Sequence, residues 1–288
     1  MRIAIDHETV YRYAAPATYS IQYLRLTPQN GPGQRVLSWS LRAPGTLRPW
    51  TDAYGNVAHM LVLDRPHDEI RIHATGEIDS DDPDCDNNNN SNGRDDTRFP
   101  PALFLRHTRL TQPDRTLSEF VAQYRLAVLA DRRQGLDALM HGIREAVSYK
   151  PGLTDTTTAA ATAFAAGAGV CQDHAHIFVS CCRSLEVPAR YVSGYLCTDT
   201  VGEERMASHA WAEAWINDSG WTSFDVANRV SAGKAHVRVA VGLDYLDACP
   251  VRGMRRGGRG ESLDVLVSVG ESRELQMLKR QQMQQQQQ

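Results

Sequence analysis

The chain has 288 residues, of which 42% are hydrophobic and 23% charged, a composition that buries a sizeable core and excludes wholesale disorder. Its net charge of −3 at pH 7 leaves no basic field to gather phosphates, so no nucleic-acid partner is expected. Residues 1–16 alternate polar and apolar side chains instead of placing a charged segment before an apolar one, and no run approaches the ~18 apolar residues of a membrane span, so neither a signal peptide nor a membrane partner is expected.

The placement that follows is cytoplasmic. The six cysteines agree with it: the adjacent Cys181 and Cys182 sit in an apolar stretch and read as small buried hydrophobes with free thiols, not as half of a secreted disulfide framework.

From residue 1 to 78 apolar residues recur at period two, as in Arg2-Ile3-Ala4-Ile5 and Glu69-Ile70-Arg71-Ile72-His73. Turn clusters such as Asn30-Gly31-Pro32-Gly33 and Tyr54-Gly55-Asn56 separate the runs. Short strands with frequent turns must bury one face against another sheet, which predicts a small β-sandwich domain over 1–78. Residues 79–98 are acidic, Asn-rich and aperiodic, the pattern of a solvated linker or loop. A calcium loop is the sharper alternative, but the glycine and the bidentate glutamate of an EF-hand loop are missing.

After this linker the period changes to that of helices. Leu117, Phe120, Val121 and Tyr124 form one stripe, and Leu136, Leu139, Met140, Ile143 and Val147 another. Tyr149-Lys150-Pro151-Gly152 breaks the pattern, and the Ala-rich run 158–166 resumes it until Gly167 and Gly169. A further apolar helix, running to about Leu185, places Cys171 at or near its N-terminus. Free backbone N–H groups and the helix dipole stabilise a thiolate there, and the same amides can hold a developing oxyanion.

Strands follow. In His209-Ala210-Trp211-Ala212-Glu213-Ala214-Trp215 the strand period puts His209, Trp211, Glu213 and Trp215 on one face and three alanines on the other, where a helix can pack closely. A hairpin through Asn217-Asp218-Ser219-Gly220 with a three-residue loop brings Asp225 to the His209 face, opposite Glu213 and not His209. Twist, a bulge or a longer loop has to close the remaining gap.

Three segments now stand in order: Gly-Val-Cys171-Gln-Asp, Ser-His209-Ala-Trp-Ala-Glu and Gly-Trp-Thr-Ser-Phe-Asp225. Together they resemble the triad segments of the bacterial transglutaminase-like superfamily. Val241-Gly242-Leu243-Asp244-Tyr245 with Pro250-Val251-Arg252-Gly253 is similar to the end of that family's core, and the strand-rich N-terminus resembles the β-domain that precedes it in many bacterial members. The resemblance implies an α+β fold in which a papain-like, transglutaminase-like core over 99–275 follows the β-domain, with a Gln-rich disordered tail over 276–288.

It also implies the catalytic roles: Cys171 as nucleophile, His209 as general base and then acid, and Asp225 orienting the imidazole. Such a triad passes through a thioester acyl-enzyme. Water as acceptor makes the protein a cysteine protease or amidase acting on a peptide, isopeptide or protein. An amine as acceptor makes it a transglutaminase, and a lost activity leaves a binding module on the same fold. The hydrolase leads, because bacterial members are commonly regarded as proteases. Many members read Asp-Pro-Thr-Asn where this chain has Asp225-Val226-Ala227-Asn228, which keeps the aspartate and alters the path after it. No cofactor and no metal is implied. Tyr149 is the candidate second oxyanion donor, because similar enzymes carry an aromatic residue upstream of the nucleophile.

Other features have plainer readings. His174 and His176, with Cys181 or Cys182, do not have zinc-ligand spacing, since 171 and 174 share a helix face and 176 does not. His174 belongs beside the site or on the helix surface, and Asp173 complements the helix N-terminus. Trp211, Trp215 and Trp221 can line a substrate groove, but core packing accounts for at least two of them. Arg252, Arg255, Arg256 and Arg259 read as a solvated hairpin loop ahead of a strand over 263–267.

Overall fold

The computed structural model describes residues 1–81, 99–197, 208–217 and 219–271. The calcium-loop reading of the acidic stretch and the Gln-rich tail lie outside the described residues, although Asp79 and Ser80 still belong to a strand.

Five strands open the chain: β1 (Arg2–Leu24), β2 (Gln34–Arg42), β3 (Leu47–Thr51), β4 (Val57–Leu63) and β5 (His67–Ser80). They pair in the order β2-β5-β1-β4-β3. The alternation seen in the sequence becomes burial: Ile3, Ile5, Ile70, Ile72 and Ile78 are almost wholly inaccessible. The expected sandwich takes the form of one sheet folded over, because β1 runs through both halves. Its first part pairs with β5 and its last five residues with β4, and the register shifts between Arg12 and Ala17. Pro16 lies in that irregular stretch, where its missing N–H does least harm. The two halves close on a shared core that includes Leu24, Leu61, Ile70 and Ile72.

A short 3₁₀ turn (Pro101–Leu105) leads into α1 (Arg115–Ala122), α2 (Arg125–Ala130), α3 (Arg132–Ala146), β6 (Ser148–Tyr149), α4 (Ala160–Ala166), β7 (Ala168–Gly169) and α5 (Cys171–Ser184). Asp114 and Asp131 start α1 and α3 by accepting the N–H of Leu117 at 2.8 Å and of Gln134 at 3.0 Å. Gly167, at φ 63°, ends α4 in the left-handed conformation that suits glycine. The two apolar stripes form one core with Ile177, Phe178, Cys181 and Cys182 of α5.

The second sheet is antiparallel, β8 (Ala189–Leu196), β9 (Ser208–Ile216), β10 (Gly220–Phe224) and β11 (His236–Gly242), in the order β10-β9-β8-β11. The alanine face of β9 receives α5, with Ala212 and Ala214 in one cluster with Ile177 and Phe178. Gly194 of β8 sits where a side chain has no room: a Cβ there would lie 2.1 Å from the carbonyl oxygen of Val237 and 2.7 Å from the Trp211 ring. Gly194→Ala is expected to lower stability by about 1–3 kcal/mol, read as an earlier urea midpoint at unchanged slope. An unshifted midpoint would show that the strand pair opens freely at this point.

The last elements among the described residues are α6 (Tyr245–Ala248), β12 (Val251–Gly257) and β13 (Glu261–Glu271). Both last strands pair with β1, β12 along Ala17–Leu24 and β13 along Ile3–Tyr13. The sequence grouped these residues with the core. Their backbone N–H and C=O groups instead find partners in the N-terminal sheet, so the two ends of the chain are one structural unit. The arginines change place accordingly. Arg252, Arg255 and Arg256 lie within β12 and not in a loop, with Arg255 over the Tyr13 ring at 5.1 Å and 3.0 Å from Glu261. Among the described residues, no helix is long and apolar enough to cross a membrane.

Candidate active site

Cys171 is the first residue of α5 and is buried, with 8% of its surface exposed. Asp173 secures this helix start: its Oδ2 accepts the N–H of Val170 at 2.7 Å and the hydroxyl of Thr154 at 2.6 Å. The first N–H groups of the helix have no intrahelical acceptor and face the end where the thiol sits.

His209 is the second residue of β9 and meets the thiol from the end of that strand, where Ala210 and Cys171 share one cluster. Its Nε2 donates to Asp225 Oδ2 at 2.7 Å, and the ring also hydrogen-bonds Cys171. An imidazole has two nitrogens, so Nδ1 is the one left for sulfur. Burial opposes a charge on this ring, but the bonds to Asp225 and Cys171 and their negative charge outweigh it. Together they raise the His209 pKa from 6.5 to about 10. Asp225 is fully buried, which works against its charge, yet its donors hold the carboxyl well below the usual range.

The hairpin register differs from the sequence expectation. β10 begins with Gly220 against Ile216 and ends with Phe224 against Ala212, so Ser223, not Asp225, faces Glu213. One step further the ladder would set Asp225 against Trp211, diagonal to His209, and a carboxylate covers that distance. Asp225 has left the strand there. It exchanges backbone bonds with Val230 at 2.8 and 3.2 Å, closing a tight loop that passes through Arg229 at φ 58°.

Two residues of this site were not singled out from sequence. Oδ2 of Asp225 accepts from His236 Nε2 at 3.0 Å and from Asn228 Nδ2 at 2.7 Å, in addition to His209. The tautomer of His236 follows, since its Nδ1 accepts the N–H of Gly233 at 3.2 Å and leaves the proton on Nε2. The available signal was a histidine at the first position of β11, comparable to His209 near the start of β9. His209, Asp225 and His236 offer three ligand atoms within 4.8 Å of one another, a possible metal set. The carboxylate oxygen is instead filled by three N–H donors, each at hydrogen-bond length.

The remaining expectations sort as follows. Tyr149 packs beside the Cys171 cluster and stacks on His174 with centroids 6.2 Å apart, and its hydroxyl, pushed up to about 12 by burial first, stays a donor at neutral pH. His174 is not on the surface. It is fully buried, its ring nitrogens 2.8 Å from the carbonyl of Val170 and 3.0 Å from that of Val147. His176 is buried too, accepts the N–H of Tyr245 at 3.0 Å, and has its pKa lowered to about 4 by burial. Trp211 backs His209 with its ring 6.1 Å away, while Trp215 and Trp221 contact each other at 5.5 Å. None of these tryptophans lines the cavity that opens on the thiol. That cavity, of about 270 Å³, has Cys171, Gln172, Tyr191, His209 and Tyr245 among its lining residues.

Residues 3–79 match the bacterial transglutaminase-like N-terminal region, and residues 121–226 match the transglutaminase-like superfamily. An uncharacterized protein of Mycobacterium leprae (strain TN) is 29% identical over 284 residues, covering 93% of this chain and 98% of the relative. One from Mycobacterium tuberculosis (strain ATCC 25618 / H37Rv) is 28% identical over 305 residues, covering 93% and 92%. A solved structure from Cytophaga hutchinsonii, provisionally named a cysteine protease, superposes with a TM-score of 0.71 at 21% identity over 93% of this chain and 90% of that one. At that identity the likeness shows the fold.

Proposed function

We propose, from the match of residues 3–79 to the bacterial transglutaminase-like N-terminal region and of residues 121–226 to the transglutaminase-like superfamily, that the chain is a member of that superfamily and a cysteine amide hydrolase acting on a peptide, isopeptide or protein through Cys171, His209 and Asp225. The observation that carries the proposal is the 2.7 Å bond from His209 to the fully buried Asp225, with the other side of the same ring on the thiol of Cys171 at the start of α5.

The geometry supports the following roles. The thiolate of Cys171 attacks the amide carbonyl, and the free N–H groups at the start of α5 face the oxygen that becomes negative. His209, with its pKa raised to about 10, carries a proton at neutral pH and gives it to the departing amine. This leaves a thioester on Cys171 and neutral His209, which then takes a proton from the incoming water, so that the acid is released and the thiolate returns beside the protonated ring. Asp225 stays ionised throughout and fixes the tautomer that presents Nδ1 to sulfur. Tyr149 is the candidate second donor to the oxyanion.

The test is digestion of a mixed peptide library, with and without added dansylcadaverine, by the protein and by its Cys171→Ala variant. New carboxyl termini formed only by the unaltered protein are the expected result. Incorporation of the amine in place of cleavage would make the protein a transglutaminase. No product dependent on Cys171 in either form would leave a binding module and overturn the proposal.

A further inference from the structure

The cavity at Cys171 has a second wall, and it does not come from the core. His7, Thr9 and Tyr11 of β1 and Leu263 and Val265 of β13 line it together with the thiol. The ladder explains why these residues and not their neighbours face the cavity. Thr9 pairs with Val265, Tyr11 with Leu263 and His7 with Val267, and successive side chains on a strand point to opposite faces. The odd-numbered residues of both strands therefore share one face. The two ends of the chain, more than two hundred residues apart in sequence, build this wall together.

Its chemistry is uncharged. His7 is almost fully buried, its ring nitrogens 2.8 Å from the Tyr195 hydroxyl and 3.0 Å from that of Thr9. Burial first, and then the charge of His73, lowers its pKa to about 4, so it is neutral at pH 7. Among the described lining residues none is Asp, Glu, Lys or Arg. Leu263 and Val265 are 51% and 53% exposed even though they border a concavity, so the fold leaves their apolar surface uncovered. A volume of about 270 Å³ lies just below the roughly 300–1,000 Å³ of drug-sized sites, which suits one large side chain and not an extended ligand.

We infer that β1 and β13 form a specificity wall that receives an uncharged, apolar side chain of the acyl group attacked by Cys171. The inference rests on Cys171 being the nucleophile. It gives the N-terminal sheet a direct part in substrate choice, beyond supporting the core.

The experiment compares Cys171 alkylation by iodoacetamide and by N-benzyliodoacetamide, with the labelled residue identified by peptide mapping and glutathione supplying the intrinsic ratio of the two reagents. In the unaltered protein the benzyl reagent is expected to gain about tenfold or more over that ratio, the scale of an apolar group entering a fitting pocket. Val265→Asp and Leu263→Asp are each expected to bring the ratio back near that of glutathione. Leu266→Asp, one residue along β13 and on its other face, is expected to keep the gain, which controls for misfolding. A benzyl advantage no greater than glutathione's, or one that survives both wall substitutions, overturns the inference while leaving the nucleophile intact. Absence of any iodoacetamide label on Cys171 overturns both, and is recognisable because the small reagent fails as well.

Discussion

Asp225→Asn is expected to lower the titration midpoint of His209 from about 10 to below the ordinary ~6.5, and to slow acylation of Cys171 by on the order of 10²–10⁴-fold. The reason lies in the three donors. His209, His236 and Asn228 all point at Oδ2, so the asparagine turns its oxygen to them and the His209 tautomer survives. The charge does not, and burial, the largest influence on His209 and one that lowers its pKa, is then opposed only by Cys171. The midpoint can be followed by NMR of the histidine ring carbons, and acylation by the nitrophenolate burst from p-nitrophenyl acetate. A midpoint that stays near 10 would remove Asp225 as the source of the shift.

The same shifts predict a pH dependence of stability. His209 has a higher pKa folded than unfolded, so its contribution is complete below ~6.5 and fades as the pH rises through about 10. Asp225 has the opposite sign. Its contribution is present above the unfolded carboxylate value of ~3.9 and is lost as the pH falls further. Stability attributable to the pair is therefore greatest between these limits, and the difference between the unaltered protein and Asp225→Asn should narrow at both extremes.

Arg183→Leu is expected to destabilise the fold by about 3–5 kcal/mol, the largest loss anticipated outside the apolar core. The side chain is 4% exposed near the end of α5. Its guanidinium donates to the carbonyls of Phe104 at 3.0 Å, Ala189 at 2.9 Å and Leu243 at 2.7 Å, and to the hydroxyl of Thr111 at 2.8 Å. Burial lowers its pKa to about 10, which still leaves it charged at pH 7. Leucine fills much of the volume but leaves those acceptors without their donors, and an unpaired buried acceptor is penalised more than a pair is rewarded. Four segments are tied here: the 3₁₀ turn, the stretch before α1, β8 and the link to α6, whose Tyr245 lines the cavity at Cys171. Lysine at this position has no planar fork and should recover only part of the loss. A urea-derived change below about 1 kcal/mol would mean that water replaces the guanidinium.

Much of the core was readable from local pattern. The stripes through Leu117 and Leu136, the stop at Gly167, the helix beginning at Cys171 and the alanine face of β9 each depend on residues within a turn or two of one another. Periodicity records such dependence because it reports which side of an element is buried. The segments around Cys171, His209 and Asp225 were picked out by their resemblance to a known family, each being a short motif.

The meeting of those segments, implied by the resemblance, was not readable from strand spacing. Hairpin spacing pointed to Glu213 as the partner of Asp225, and a ladder shifted by two residues moved it to the neighbourhood of Trp211, within reach of His209. His236 was missed because its partner, Asp225, lies eleven residues back and is brought to it by the loop that Asp225 and Val230 close.

By itself the sequence determined the apolar helix stripes of the core, the alanine-faced strand after His209 and the helix start that carries the thiol, since all of these are set by neighbours along the chain. Only the tertiary structure decided that β12 and β13 leave the core for β1, that three donors share one oxygen of Asp225, and that both chain ends wall the cavity at Cys171. Those outcomes depend on which strand edge satisfies a distant backbone N–H and C=O, and local periodicity carries no record of that pairing.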